Sequence, residues 1–151
     1  MSDVFSVAMS PPKHQGMTLA FSAGDQHFSE NFSSRTFPFL DNLIRAIHGL
    51  RHGYVDEKIL LFIGAPECEL SLQAEVGSNT ASLRIVLWRD GGRSKFAKTE
   101  TLFAIETFRS EIVLAFVAAA RRLRDSIDDD TFLREYGALF PKLAYQQLMS
   151  G

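Results

Sequence analysis

Two histidines four residues apart are the first candidates for chemistry in this chain. His48 and His52 have the spacing at which two imidazoles on one face of a helix bind zinc. The zinc-protease form of this pattern needs a glutamate directly after the first histidine, and here that position is Gly49. Because a zinc site needs further ligands and no third one is evident, we interpret both histidines as helix-surface residues and predict no metal site.

A run of three aspartates is the second candidate. Asp128, Asp129 and Asp130 could supply oxygen ligands to a divalent cation. Acidic residues are also typical of the first turn of a helix, where they stabilise its positive end. Since an apolar helical pattern begins at Phe132, we interpret the run as a helix start with Asp130 as its cap.

The single cysteine and a glycine-rich basic stretch are weaker candidates. Cys68 falls on the apolar side of an alternating segment, which predicts an inert buried thiol rather than a nucleophile. The stretch from Gly91 to Lys95 joins two predicted strands and lacks the spacing of a phosphate loop, so we interpret it as a hairpin turn. We therefore expect no catalytic residues, no enzymatic activity and no cofactor. An enzyme using His27, His48 or His52 with a carboxylate remains a third alternative.

The segment from Glu67 to Val76 carries the clearest pattern in the chain. Its residues alternate strictly between apolar and polar, which predicts a strand with one buried and one wet face. The polar side holds Glu67, Glu69 and Glu75, and a later strand adds Glu100 and Glu106. These acids favour either an ordinary solvated face or a surface complementary to a basic protein.

Length, charge and cysteine content bound the class of protein. A chain of 151 residues is the size of one domain and can bury a sizeable core without a disulfide. The formal net charge of −2 gives no general attraction to nucleic acid or anionic lipid. With a single cysteine and no apolar run of membrane-spanning length, we expect a cytoplasmic protein with no direct nucleic-acid or membrane partner.

The elements that must position these residues follow from periodicity and turn signals. Residues 1–16 contain Pro11, Pro12 and Gly16 with little periodicity, and we predict a flexible N-terminal arm there. Residues 17–151 form a single predicted domain with an abundance of phenylalanine for its core. Its fold class is α+β: an antiparallel sheet of about five to six strands with helices packed on one face. The predicted helices span about 36–52, 110–126, 130–140 and 143–149, and the predicted strands 17–23, 27–33, 58–63, 67–76, 81–89 and 95–108.

The order of elements from Phe37 to Leu123 resembles that of bacterial immunity proteins, which neutralise the toxic C-terminal domains of polymorphic and contact-dependent inhibition toxins. The resemblance rests on an early amphipathic helix (Phe39-Leu40-Asp41-Asn42-Leu43), alternating strands, a hairpin, and a long strand leading into a helix at about Glu111 to Leu123. It implies stoichiometric inhibition of a cognate toxin domain by protein–protein binding in the cytoplasm. The oligomeric state and the partner's activity stay open.

For such an inhibitor, we expect the partner-binding residues to come from the acidic strand and the next hairpin. Trp and Arg are common anchors of protein interfaces, and acids suit a basic partner. The predicted contact residues are Glu67, Glu69, Glu75, Trp88, Arg89 and Asp90. The alternative function is a small-molecule-binding or regulatory domain with a pocket between the sheet and the Phe-rich helices.

Overall fold

The computed structural model describes residues 4–63, 66–88 and 98–151, in seven strands and four helices. The predicted α+β class with an antiparallel sheet is confirmed, and the number of strands is somewhat higher than expected. The strands are β1 (Ser6–Met9), β2 (Gly16–Ala23), β3 (Gln26–Ser33), β4 (Val55–Phe62), β5 (Glu67–Ala74), β6 (Thr80–Trp88) and β7 (Thr99–Phe108). The helices are α1 (Leu40–Gly49), α2 (Arg109–Ser126), α3 (Asp129–Tyr136) and α4 (Lys142–Ser150).

The additional strand is β1, which lies within the segment predicted to be a flexible arm. Phe5, Val7 and Met9 alternate into the core, and β1 pairs antiparallel with β2 from Ser6–Ser22 to Met9–Leu19. Only four residues long and followed by two prolines, the strand is too short for its periodicity to be distinctive in the sequence. Part of the segment predicted to be a flexible arm, Ser6–Met9, is therefore built into the sheet.

All seven strands form one sheet in the order of the chain, and every neighbouring pair is antiparallel. Short turns explain this meander, since a tight turn returns the chain beside the strand it has just left. Gly24 lies in the β2–β3 turn with φ 57°, and Gly77 in the β5–β6 turn with φ 77°. Both conformations are ones that glycine adopts without a steric penalty.

Strand β3 closes the sheet on itself. Its last residue, Ser33, pairs with Phe62 of β4, whereas the side chain of Gln26 at its first residue reaches β7. There the Gln26 amide donates to the Ala104 carbonyl at 2.8 Å and accepts from the Ala104 N–H at 3.0 Å. β3 thus contacts both edges of the four-stranded unit β4–β7, so the sheet curls around a common core.

The core inside this curled sheet is rich in phenylalanine, as the composition predicted. The ring of Phe21 on β2 lies within 5.8–6.0 Å of the rings of Phe5, Phe28, Phe103 and Phe116. These rings join β1, β3, β7 and α2, and each is 7% exposed or less. Burying one such ring contributes about 1.5–3 kcal/mol to stability. The cluster therefore strongly stabilises the packing of strands β1–β3 against β7 and α2.

Two helix starts differ from the predicted ones. The helix predicted from about residue 36 begins at Leu40 as α1, and the hydroxyl of Tyr136 on α3 accepts from the Leu40 N–H at 2.8 Å in a buried position. At α3 the cap is Asp128 rather than Asp130, and its carboxylate accepts from the Thr131 N–H at 2.7 Å. Sequence alone could not show that Tyr136 caps α1, because the Tyr136 hydroxyl and the Leu40 N–H are 96 residues apart.

Candidate functional site

The outer face of strands β4, β5 and β6 carries an apolar patch that belongs to no core. The patch consists of four half-buried residues, Leu60, Phe62, Val86 and Trp88. They are on the face that points away from the interior, whereas Leu61, Cys68 and Leu87 face the interior. The buried sides of the helices and the inner strand residues share a single core on the other side of the sheet. We call the four outer residues together with Glu67 and Glu69 the outer patch.

The strand register places each glutamate of the outer patch between two apolar side chains. Glu67 pairs with Phe62 on one side and Trp88 on the other, and Glu69 pairs with Leu60 and Val86. Directly opposed side chains in an antiparallel sheet lie about 4.5–5.5 Å apart at Cβ. The structure therefore brings together three of the predicted contact residues, Glu67, Glu69 and Trp88, in two adjacent rows.

Glu69 is not the solvated surface acid that alternation predicted. It is only 7% exposed, whereas Glu67 in the same strand is half-buried. Strict alternation shows which face a residue occupies, but how far neighbouring side chains cover it depends on the strands beside it. Here Leu60 and Val86 flank Glu69 on both sides.

The charge on the outer face changes sign along the strands. The row next to Glu69 consists of Lys58, Ser71 and Arg84, with cations on both sides of the serine. Arg84 Nη2 donates to Thr101 Oγ1 at 3.1 Å, which holds that cation over β7. The following row consists of Asp56, Gln73 and Ser82. The face is thus mixed, with Glu67 and Glu69 at one end, Asp56 at the other and the cations between them.

The remaining predicted acids lie elsewhere. Glu75 follows the end of β5, about 26 Å along the chain from Glu67 at the rise of a strand. Glu106 pairs with Ser82 at the far end of the outer face. An irregularity at Ile85/Val86 shifts the register between β6 and β7. As a result, Glu100 pairs with Leu87, whose side chain faces the interior, and not with a residue of the outer face. Because β6 separates β7 from β5, these residues do not form one continuous acidic surface.

Two predicted contact residues, Arg89 and Asp90, lie outside the described residues, as does the predicted hairpin from Gly91 to Lys95. Trp88 is the last residue of β6 and ends the described part of that strand.

Two of the candidates for catalytic or metal chemistry, Cys68 and Asp129, have defined surroundings in the structure. Cys68 is fully buried, and burial, together with the nearby charge of Glu30, raises its pKa to about 11. A thiol with such a pKa is protonated at neutral pH and is a poor nucleophile. Asp129 forms ion pairs with Arg124 at 2.5 Å and Lys142 at 2.8 Å. Within residues 4–63, 66–88 and 98–151, no three His, Cys, Asp or Glu side chains are grouped so that they could hold a metal ion.

A concave groove lies between α1 and β4. Its volume is about 530 Å³, and one wall is the outward side of α1 with Asn42, Arg45 and Gly49. The other wall is β4 from Val55 to Leu60, and Tyr54 and Phe37 also line the groove. This groove lies between the sheet and a helix, where the alternative hypothesis expected a pocket.

One important residue was missed by sequence reasoning. Arg109, at the start of α2, is 6% exposed, and its guanidinium donates to four main-chain carbonyl groups. The acceptors are Ser78 at 2.7 Å, Leu50 at 3.2 Å, Gly53 at 2.7 Å and Glu75 at 2.5 Å. These bonds tie the end of α1, the β5–β6 turn and the start of α2 together. No local signal marks the residue, since its partners are 31 to 59 residues away.

The comparisons with known proteins give no family. No family model matches the chain, and neither the curated proteins nor the solved structures contain a match. Of the helices in the described ranges, none has both the length and the apolar character needed to cross a membrane.

Proposed function

We propose that this protein is a binding protein of the immunity type, which inhibits a cognate toxin domain by stoichiometric association. The observation that carries the proposal is the outer patch, where half-buried apolar side chains surround Glu67 and Glu69 on a sheet face that the core does not use. The resemblance in element order adds the expected partner, a bacterial toxin domain.

The composition of the outer patch suits a protein interface. Energetically dominant interface residues are enriched in tryptophan and cluster with other apolar groups from which water is excluded on binding. Trp88 and Phe62 flank Glu67 in one row and would provide such a centre. Carboxylates beside apolar anchors favour a partner with basic groups, because complementary charges accelerate encounter and fix the register of docking.

The direct test uses the toxin-like product of the adjacent gene. Size-exclusion chromatography and calorimetry with the purified proteins should show a 1:1 complex. Trp88→Ala and Glu67→Lys should each weaken binding at least tenfold, as expected for residues near the centre of an interface. A matched control is Asp125→Lys, which reverses the charge of an exposed residue of α2 and should leave the affinity unchanged.

Two results would count against the proposal. A toxin-like neighbour that does not bind removes the predicted partner. Binding that is unaffected by both Trp88→Ala and Glu67→Lys, in variants whose circular dichroism spectra and melting temperatures match the parent, removes the outer patch as the interface.

A further inference from the structure

Strand β4 has one edge that is paired along its whole length and one that is not. It pairs with β5 from Val55–Ala74 to Phe62–Glu67, but with β3 at Ser33–Phe62 alone. Among the residues that the structure describes, no other main chain hydrogen-bonds to its second edge from Val55 to Leu61. Seven residues of strand span about 23 Å and present alternating N–H and C=O groups to whatever lies beside them.

The two terminal strands of the sheet, β1 and β7, differ from β4 because their free edges are short or occupied by other groups. β1 is only four residues long, and the N–H of the preceding Phe5 is taken by Glu111 of α2 at 3.0 Å. On β7, both main-chain groups of Ala104 are occupied by the side chain of Gln26. Short length and covering groups are the usual means by which proteins protect sheet edges from other chains. The longer edge of β4 instead faces the groove beside α1.

The α1 wall of this groove ends in a glycine. Gly49 is the last residue of α1 and lines the wall that faces β4. A Cβ atom added there would meet nothing within 4 Å, and the residue does not have a positive φ. Neither close packing nor backbone conformation requires glycine, although glycine within a helix costs roughly 1 kcal/mol relative to alanine. The missing side chain does leave space beside the open edge.

The charges on β4 determine which charged residues a strand added at this edge should carry. Glu57 has the inward phase of Val55 and Ile59 and projects on the groove side, whereas Lys58 is on the outer face, and both are exposed. The nearest cation on the opposite wall, Arg45, is engaged by Asp41 at 3.0 Å. Opposed charges stabilise neighbouring strands and like charges destabilise them. An added strand should therefore carry a base opposite Glu57 and an acid opposite Lys58.

We propose that the groove between α1 and the open edge of β4 is a strand-addition site for an extended segment of a protein partner. The segment pairs antiparallel with Val55–Leu61, directs apolar residues towards Val55 and Ile59, and matches Glu57 with a base and Lys58 with an acid. Main-chain hydrogen bonds supply the affinity in this mode of recognition, and the alternate side chains supply specificity. The site is separate from the outer patch and does not depend on the identity of a toxin partner.

A designed peptide tests the site directly. The sequence Val-Thr-Ile-Glu-Lys-Thr-Val-Thr places its glutamate opposite Lys58 and its lysine opposite Glu57 when it runs antiparallel to β4. In amide NMR spectra of the ¹⁵N-labelled protein, millimolar peptide should shift the signals of Val55 to Leu61 and slow the hydrogen exchange of those alternate amides whose N–H points away from β5. A second peptide with the glutamate and lysine exchanged should bind at least fivefold more weakly.

Matched substitutions separate groove binding from nonspecific contact. Gly49→Ala should retain the peptide, while Gly49→Trp, which fills the groove, should reduce binding at least tenfold. If Gly49→Trp alters the fold, Lys58→Glu provides the test, because it should weaken the first peptide and strengthen the exchanged one, so that the two peptides bind with similar affinity. Glu67→Lys should leave peptide binding unchanged, so failure of the outer patch and failure of this site are distinguishable.

The proposal is overturned if millimolar peptide shifts no β4 signals, or if both peptides and all variants give equal shifts. Binding of a small molecule in the groove without binding of the peptide would also overturn the proposal. The groove would then be a small-molecule site.

Discussion

Replacing Arg109 should destabilise the protein more than replacing any exposed arginine. The residue is 6% exposed, and its guanidinium donates to four main-chain carbonyl groups in two separate segments, at the end of α1 and in the β5–β6 turn. Each hydrogen bond from a charged group contributes about 1.5–3 kcal/mol, but burying the charge costs several kcal/mol, and some of the freed carbonyl groups will bind water. We expect Arg109→Met, which keeps most of the aliphatic stem, to lower the free energy of unfolding by about 3–5 kcal/mol.

The assay is urea unfolding monitored by circular dichroism, supported by thermal melts. In a domain of this length, a loss of 3–5 kcal/mol corresponds to a fall in melting temperature of roughly 6–20 °C. Arg109→Lys should fall in between, because lysine has three donors and lacks the planar fork that reaches four acceptors. The control is Arg45→Met, which removes an exposed pair with Asp41 and should cost about 0.5 kcal/mol or less.

The reasoning is refuted if Arg109→Met costs no more than Arg45→Met. That result would mean that water replaces the guanidinium at all four carbonyl groups, so that the buried network contributes no net stability. A change in the denaturant slope, rather than in the midpoint, would indicate an altered unfolded or native ensemble and calls for the thermal data to decide.

Two further residues give sharp expectations. Tyr136→Phe should cost about 1–2 kcal/mol, because it leaves the buried Leu40 N–H at the start of α1 without its acceptor. Burial raises the pKa of Tyr136 above its ordinary value. The stability that the neutral phenol contributes to the folded protein is therefore complete below about pH 10 and is lost as the pH rises further. Melting temperatures at pH 8 to 11 should fall more steeply for the parent than for Tyr136→Phe; parallel curves would contradict this. The Cys68 thiol, with a pKa raised to about 11 by burial, should react with a thiol reagent at pH 8 only after unfolding. Fast labelling of the native protein would contradict its burial.

Much of the fold could be predicted because its signals are local. The β5 alternation begins at Glu67 in both the prediction and the structure, and α2 was predicted from Ser110 to Ser126 and spans Arg109–Ser126. Period-two and period-3.6 patterns report which side of an element is buried, whatever the rest of the chain does. β1 was missed since four residues are too few to establish a period.

The candidate site was only partly predictable. Alternation placed Glu67 and Glu69 on one face, and interface propensity suggested Trp88, but their adjacency depends on the pairing of β5 with β6. The burial of Glu69 depends on Leu60 and Val86 on two different strands. The displacement of Glu100 from this face depends on a shift in register within β7. Pairing and register are set by contacts between strands, which a pattern within one strand does not contain.

The sequence by itself therefore determined the class of fold, the Phe-rich core, most element positions and the inertness of Cys68. These follow from spacing and composition, because burial of a repeating apolar face is the dominant favourable term in folding. Only the tertiary structure decided that β3 crosses to β7, that Arg109 joins three segments, and that β4 keeps an open edge beside Gly49. Each of these depends on groups far apart in the chain, whose directional hydrogen bonds form only after the apolar faces have brought them together.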